Sequence, residues 1–376
     1  MKKLLVWLLA GVMLCGAAAC SNGGKDNTPQ AEVTAATAAQ AAEEPQTNNS
    51  TAHITAANQK IKEALDALEA ANYEGVVFAV QDGETIGAFA NGKLYDGTAV
   101  TLETPMPVGS VSKQFCAAAI MKLQEEGKLS VSDGLDTYFP DYEQASKMTL
   151  HHLLSMRSGI PNLPETEDKA GVLINVSNTN TAEENTALFL EWVFAQPLNF
   201  EPDEGYEYSN CNYMLLANVV EKVSGKAYFD YLRETFLQPL GMTHTGSVLE
   251  LKDNPAWAQG CTEKTYEIEH GSEPGLPKGA GDIISTAADM TLWMNALPSG
   301  SILSEESYAA MTTDYSSGYG YGLTTDMGNG VGHYGNIGTF AACDYIEAER
   351  NLTLMMACKG GLSTITNHFY SIYGAL

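Results

Sequence analysis

"PVGSVSKQFCAAAIMKLQEEGKLS", residues 107–130, is the stretch that decides the fold. Gly109 interrupts the chain just before Ser110, and apolar residues then recur at helical spacing as far as Gly127. These apolar residues are Phe115, Ala119, Ile120 and Leu123. The pattern predicts a helix whose N-terminus lies at Ser110.

Lys113 lies one helical turn after Ser110, on the same face, so its amine can approach the serine hydroxyl. A serine becomes a strong nucleophile when an adjacent base takes its proton, and a desolvated lysine can be that base. The N–H groups at the start of a helix also favour a developing oxyanion. Taken alone, however, S-x-x-K is more often a solvated lysine on a surface helix.

Two later motifs help to decide between a catalytic lysine and a solvated surface lysine. In "YEYSNCNYMLLANVVEKVSG", residues 206–225, Tyr208-Ser209-Asn210 precedes an amphipathic helix that Gly225 ends. "GNGVGHYGNIG", residues 328–338, contains His333-Tyr334-Gly335. Its G-x-G-x-x-G pattern would need a following helix to bind a dinucleotide, but residues 339–346 and 352–358 predict a β-hairpin.

With S-x-x-K, Y-x-N and [K/H]-x-G in this order and at these spacings, the chain resembles the serine β-lactamases and penicillin-binding proteins of the class C type. The resemblance covers about residues 59–376. It implies an α/β (α+β) fold of the β-lactamase/transpeptidase type. An antiparallel sheet flanked by helices would adjoin a mainly helical second lobe at about residues 115–305, with the substrate in the cleft between them.

The resemblance also implies roles for the motif residues. Ser110 would be the nucleophile, with Lys113 and Tyr208 as catalytic proton-handling groups. Asn210 would donate a hydrogen bond to the substrate amide. Gly335 would let a strand edge approach the serine closely.

In this family the N–H of the residue after the motif glycine, here Asn336, joins the N–H of Ser110 in the oxyanion hole. His333 would face a substrate carboxylate. Antibiotic-hydrolysing members usually have a lysine at the His333 position. Since only the imidazolium carries a full charge, we expect carboxylate recognition to depend on pH.

The N-terminus resembles a bacterial lipoprotein signal. Lys2 and Lys3 precede an apolar run, residues 4–19, that ends in Ala17-Ala18-Ala19-Cys20. We expect residues 1–20 to be removed up to Cys20, which would be lipidated and anchor an extracytoplasmic protein to the bacterial cell membrane. An ordinary A-x-A signal peptidase site is the alternative. Residues 21–57 predict a disordered linker and residues 58–376 the hydrolase domain.

Composition narrows the choice of ligands and partners. The chain has 46 acidic residues against 20 Lys and Arg, which disfavours nucleic acid. The cysteines after the leader are scattered, which predicts buried free thiols at Cys116, Cys211, Cys261, Cys343 and Cys358. His151 and His152 are adjacent and project in different directions on a helix, which argues against a metal site. We expect no cofactor.

The fold leaves the substrate open. The favoured hypothesis is an acyl-enzyme hydrolase acting on D-amino-acid peptides or cell-wall amides, with peptidoglycan as a partner. An esterase or acyltransferase on small esters or alcohols, a β-lactamase, and a non-catalytic penicillin-binding sensor are the alternatives. The oligomeric state cannot be derived from the sequence.

Overall fold

The computed structural model describes residues 52–94, 97–164, 180–247, 278–337 and 339–376. Within these ranges the helices are α1 (Gln59–Ala70), α2 (Ser112–Glu125), α3 (Leu150–Leu154), α4 (Ala182–Phe194), α5 (Asn210–Ser224), α6 (Tyr228–Leu232), α7 (Gln238–Leu240), α8 (Ala287–Ala296), α9 (Glu305–Thr312) and α10 (Leu362–Ala375). The strands are β1 (His53–Ala56), β2 (Gly75–Gln81), β3 (Glu84–Asn91), β4 (Met106–Pro107), β5 (Gly246–Ser247), β6 (Ile283–Ser285), β7 (Thr324–Met327), β8 (Gly330–Ile337), β9 (Phe340–Glu347) and β10 (Leu352–Lys359).

Seven of the strands form one antiparallel sheet in the order β1-β3-β2-β10-β9-β8-β7. The predicted hairpin is confirmed, because β9 and β10 pair directly with Leu352 opposite Glu347. A strand follows β8 where a dinucleotide site would need a helix, so the glycines of β8 serve another purpose. The β-lactamase/transpeptidase-type sheet predicted from the sequence is therefore present.

The central strands separate two hydrophobic cores. Successive side chains of a strand point to opposite faces, so neighbours in sequence enter different cores. In β10, Met355 and Ala357 join the core on the helical-lobe side, whereas Leu354 and Met356 join the core beneath α1 and α10. Burial on both faces explains why β9 and β10 are mostly apolar.

Helix α2 lies inside the molecule. Its residues from Ser112 to Met121 are all buried, and it packs against α5 and α9. A helix that is apolar on nearly all sides is typical of a core position, and the Cys-Ala-Ala-Ala run allows neighbouring elements to approach closely. The reactive end of α2 is therefore held rigidly.

One boundary predicted from the sequence was wrong. The disordered linker was expected to reach residue 57, but His53–Ala56 forms edge strand β1, paired with β3. Backbone hydrogen bonds to an existing sheet edge order a segment whose side chains bury little area. The mainly helical lobe, expected at about residues 115–305, also contains the short strands β5 and β6, which form a three-stranded sheet with β4.

Further features of the chain are its terminal helices, its cysteines and its leader. The first and last helices of the domain are α1 and α10. The prediction of buried free thiols is confirmed for Cys116, Cys211, Cys343 and Cys358. Cys261, Cys20 and the leader lie outside the described residues. Among the helices that the structure describes, none has the length and apolar character needed to cross a membrane.

Two alanine substitutions test how tightly β8 packs on β9. A Cβ at Gly332 would overlap the carbonyl oxygen of Asp344, whereas nothing lies within 4 Å of a Cβ at Gly374 in α10. Gly332→Ala should therefore lower the free energy of unfolding by about 1–3 kcal/mol. Gly374→Ala should leave it unchanged or raise it by up to about 1 kcal/mol. Urea unfolding followed by circular dichroism measures both, and equal stabilities would contradict the close strand contact.

Candidate active site

Ser110 lies in a single 3-10 turn, Gly109–Val111, that leads directly into α2. Gly109 has φ +53°, a left-handed conformation that favours glycine. A Cβ at this position would also lie 2.7 Å from the backbone nitrogen of Asn336. The glycine before the serine therefore serves both the turn and the approach of β8.

The Lys113 amine is fully buried and has three polar neighbours. Its Nζ lies 3.1 Å from Ser110 Oγ, 2.7 Å from Asn210 Oδ1 and 2.6 Å from the Ala280 carbonyl oxygen. The carbonyl and amide oxygens can only accept hydrogen bonds, so they hold two N–H bonds of the amine. In the neutral amine, the remaining lone pair is then available to the serine hydroxyl.

Burial lowers the pKa of Lys113 to about 7, while Cys116 and Asp282 act in the opposite direction. Among the residues that the structure describes, no carboxylate pairs directly with the amine, and desolvation is the larger effect. Near neutral pH a substantial fraction of Lys113 is uncharged. This is the state that a general base needs in order to take the serine proton.

Tyr208 lies beside the amine, with Lys113 Nζ 4.9 Å from the ring centroid. Burial raises the pKa of the phenol, and the neighbouring Ser110 hydroxyl only partly opposes this effect. The phenol oxygen makes no well-formed hydrogen bond to another described residue. Because the phenol stays protonated at neutral pH, the arrangement favours a proton relay over a second base as the proton-handling role of Tyr208.

Asn210 is fixed at the first turn of α5. Its backbone N–H donates to Asn162 Oδ1 at 2.9 Å, while its own Oδ1 accepts from Lys113. The loop that carries Asn162 therefore fixes the orientation of Asn210. This orientation leaves the Nδ2 group of Asn210 as the donor for a substrate, consistent with the predicted binding role.

Strand β8 runs alongside the Ser110 turn. A Cβ at Gly335 would overlap the Val108 carbonyl oxygen and lie 3.0 Å from Ser110 N. The structure thus brings the predicted oxyanion-hole residues, Ser110 and Asn336, side by side. The side chain of Asn336 accepts a hydrogen bond from Leu362 N at 3.1 Å, so the start of α10 holds it in place.

The expected charge on His333 requires correction. The side chain is buried, and burial with the nearby Lys113 charge lowers its pKa to about 3. Its Nδ1 lies 2.6 Å from the Tyr334 carbonyl oxygen, and its Nε2 lies 3.1 Å from the Tyr319 hydroxyl. The ring is therefore neutral at physiological pH, and a pH-dependent imidazolium that reads carboxylates is not supported.

A buried polar network behind the site was not predicted from the sequence. Gln114 Nε2 donates to both oxygens of Asp344, at 2.8 and 2.7 Å, and Asp344 Oδ1 also accepts from His333 N at 2.8 Å. Trp293 Nε1 donates to Gln114 Oε1 at 3.1 Å. The network joins α2, β8, β9 and α8, and only long-range contacts reveal it.

The sequence profile of the family described as Beta-lactamase matches residues 57–364. The chain belongs to the β-lactamase family. Members of this family are typically serine hydrolases of the amidase or peptidase kind. The family assignment confirms the resemblance read from the three motifs, while the class C subdivision stays a prediction.

Two bacterial relatives are similar to the chain, and one of them carries a penicillin-binding name. Bacillus subtilis (strain 168) PbpX, named as a penicillin-binding protein, is 30% identical over 283 residues, which are 73% of this chain and 67% of that protein. Protein flp of Staphylococcus aureus (strain COL) is 32% identical over 147 residues. That match spans 38% of this chain and only 28% of the length of Protein flp.

Solved structures show the same fold. The D-amino acid amidase of Ochrobactrum anthropi SV3 aligns with a TM-score of 0.67 and 23% identity, over 84% of this chain and 100% of that chain. A penicillin-binding protein from Bacillus halodurans aligns with a TM-score of 0.68 and 21% identity, over 84% of this chain and 98% of that chain. Both likenesses bear on fold alone.

The pKa of Lys113 predicts the pH dependence of acylation. The base works only when deprotonated, so kcat/KM should rise as pH increases through about 7 and level off above. Asp282→Asn keeps an oxygen for the Gly279 N–H but removes a charge that raises the lysine pKa. The rising limb should therefore move to lower pH in this variant. Stopped-flow acylation by an aryl ester measures both pH profiles. A rising limb that moves to higher pH in the variant would contradict the assignment.

Proposed function

We propose that the protein is an extracytoplasmic, membrane-anchored serine hydrolase that acts through a Ser110 acyl-enzyme on D-amino-acid peptides or cell-wall-related amides. One observation carries the proposal: a buried lysine whose pKa is about 7 lies 3.1 Å from the serine hydroxyl. A solvated surface lysine has neither property. The family membership supports the same reaction class.

Acylation begins with attack of Ser110 Oγ on the substrate carbonyl carbon. The serine proton passes to Lys113 Nζ, and the carbonyl electron pair becomes an oxyanion beside the N–H groups of Ser110 and Asn336. When the intermediate collapses, the C–N bond breaks and the leaving amine receives the proton, with protonated Tyr208 as relay. The products are a Ser110 ester and a free amine.

Deacylation uses the same groups in reverse. A water molecule gives a proton to Lys113 and attacks the ester carbonyl, and collapse returns the proton to Ser110 Oγ. The released product is a carboxylic acid. If an alcohol or amine replaces water, the same step transfers the acyl group to it. Esterase or acyltransferase activity is therefore the second candidate, and the neutral state of His333 favours uncharged substrates of that kind.

A single substitution tests the nucleophile. Ser110→Ala should abolish covalent labelling by a fluorophosphonate and by a fluorescent penicillin, and should lower turnover by about 10⁴ to 10⁶-fold. Ser112→Ala is a matched control, because this neighbouring hydroxyl accepts a backbone hydrogen bond from Ile283 and lies outside the proposed chemistry. The control should retain labelling, and intact-protein mass spectrometry locates the adduct. An adduct on any other residue would overturn the assignment.

A second substitution tests the anchor, which rests on the sequence of the leader. Cys20→Ser removes the thiol that comes directly after the small residues at positions 17–19. We expect the variant to accumulate as uncleaved precursor or to appear in the medium, because acyl chains are the proposed attachment. Membrane fractionation with a mass measurement distinguishes these states. Full membrane retention of a processed Cys20→Ser chain would refute lipidation.

A further inference from the structure

The surroundings of His333 determine which ring nitrogen carries the proton. Nδ1 faces the Tyr334 carbonyl oxygen at 2.6 Å. A carbonyl oxygen can only accept, so Nδ1 must be the protonated nitrogen. Nε2 is left as the acceptor, and it faces the Tyr319 hydroxyl at 3.1 Å. One neutral tautomer therefore satisfies both contacts.

A second proton on this ring would be poorly accommodated. Tyr319 is buried, so its hydroxyl would have to turn away from Nε2 inside a closed aromatic cluster. The cation would also share its enclosure with the Lys113 amine, whose charge opposes it. Asp344 approaches from β9, but it contacts the backbone N–H of His333 and not the ring.

The fixed positive charges of the arginines are neutralised by carboxylates. Arg157 pairs with Asp203, Arg233 with Asp230 and Arg350 with Glu347. The amine of Lys113 is turned towards Ser110, Asn210 and Ala280. Among the residues that the structure describes, Lys113 is the basic side chain whose charge acts on His333, and its amine already has these three polar neighbours.

The wall that adjoins His333 is aromatic, with an acid at its edge. Tyr206 and Tyr208 are half-buried and pack on Tyr319 at ring-centroid distances of 6.2 and 6.0 Å. Exposed Asp326 lies close enough to Tyr206 to add to the rise in its pKa caused by burial. A carboxylate placed here would meet aromatic rings and a like charge.

We infer that the subsite beside His333 selects an uncharged group, such as a carboxamide, an ester or the interior of a peptide, over a free C-terminal carboxylate. This inference rests on the proposed function and narrows its substrate class. Tyr319 acts as a positioning residue, because its hydroxyl holds the imidazole in the neutral tautomer. The chain has 46 acidic and 20 basic side chains, and this negative balance further disfavours anionic substrates.

Two substrates that differ only in charge test the inference: N-acetyl-D-phenylalanyl-D-alanine and its C-terminal carboxamide. The wild-type enzyme should favour the carboxamide by about tenfold or more in kcat/KM. The ratio should stay constant from pH 5.5 to 8, because only the fraction with neutral Lys113 reacts with either substrate. The inference would be overturned if the free acid had the same kcat/KM as the carboxamide, or if its kcat/KM rose relative to that of the carboxamide as pH falls.

His333→Gln gives a complementary result, because it replaces a neutral ring with a neutral amide. The substrate ratio should stay within about threefold of wild type, since no charge is lost. Selective loss of the free acid would instead show that His333 carries a charge. Tyr206→Phe, which leaves the contact between Tyr319 and His333 in place, is the control for changes in the aromatic wall.

A p-nitrophenyl ester separates this inference from the proposed function. If the ester and both peptides fail to acylate Ser110, the proposed function is wrong, and the inference that rests on it is wrong as well. If Ser110 is acylated but the free acid is preferred, only the inference falls. The mass of the acyl-enzyme distinguishes these two outcomes.

Discussion

The structure depends above all on the burial of the Lys113 amine next to the Ser110 hydroxyl. A charged lysine without a carboxylate partner is costly to bury, so the fold stabilises the neutral amine and gives it acceptors from separate elements. Asn210 comes from α5 and Ala280 from the turn before β6, so each must be in place for the amine to be satisfied. The same desolvation that costs stability creates the base, because it brings the lysine pKa to about 7.

Around that contact, the helical lobe and the sheet are joined by a close backbone approach and by a buried hydrogen-bond network. At the front, Gly109 and Gly335 allow the Ser110 turn and β8 to approach more closely than side chains would permit. At the back, Gln114 donates to both oxygens of Asp344, whose pKa burial raises to about 7. Such a fully satisfied buried network is rigid, and it connects the residue after Lys113 to the strand beside β8. The oxyanion-hole geometry thus depends on contacts far apart in sequence.

Much of this arrangement could be predicted from the sequence. The S-x-x-K, Y-x-N and [K/H]-x-G motifs identified the residues that the fold brings together, and the apolar runs after residue 338 predicted the hairpin. Strand β1 was missed because four residues at a sheet edge gain order from backbone pairing and not from a side-chain pattern. Ala280 contributes only its carbonyl oxygen, which no residue type reveals. The neutrality of His333 depends on Tyr319 and on burial, and neither is visible in the motif.

The titratable side chains of the site share one property, which is that burial favours the uncharged form of each. Desolvation lowers the pKa values of Lys113 and His333 and raises that of Tyr208. Acylation then creates two charges, the Lys113 ammonium and the oxyanion, and the oxyanion forms where two backbone N–H groups converge. In a site of low polarity these dipoles act strongly. A substrate carboxylate would bring a second negative charge into the same enclosure, where Lys113 is the basic side chain that acts on His333 among the described residues. The burial that makes the lysine a base is therefore also the basis of the proposed preference for an uncharged substrate.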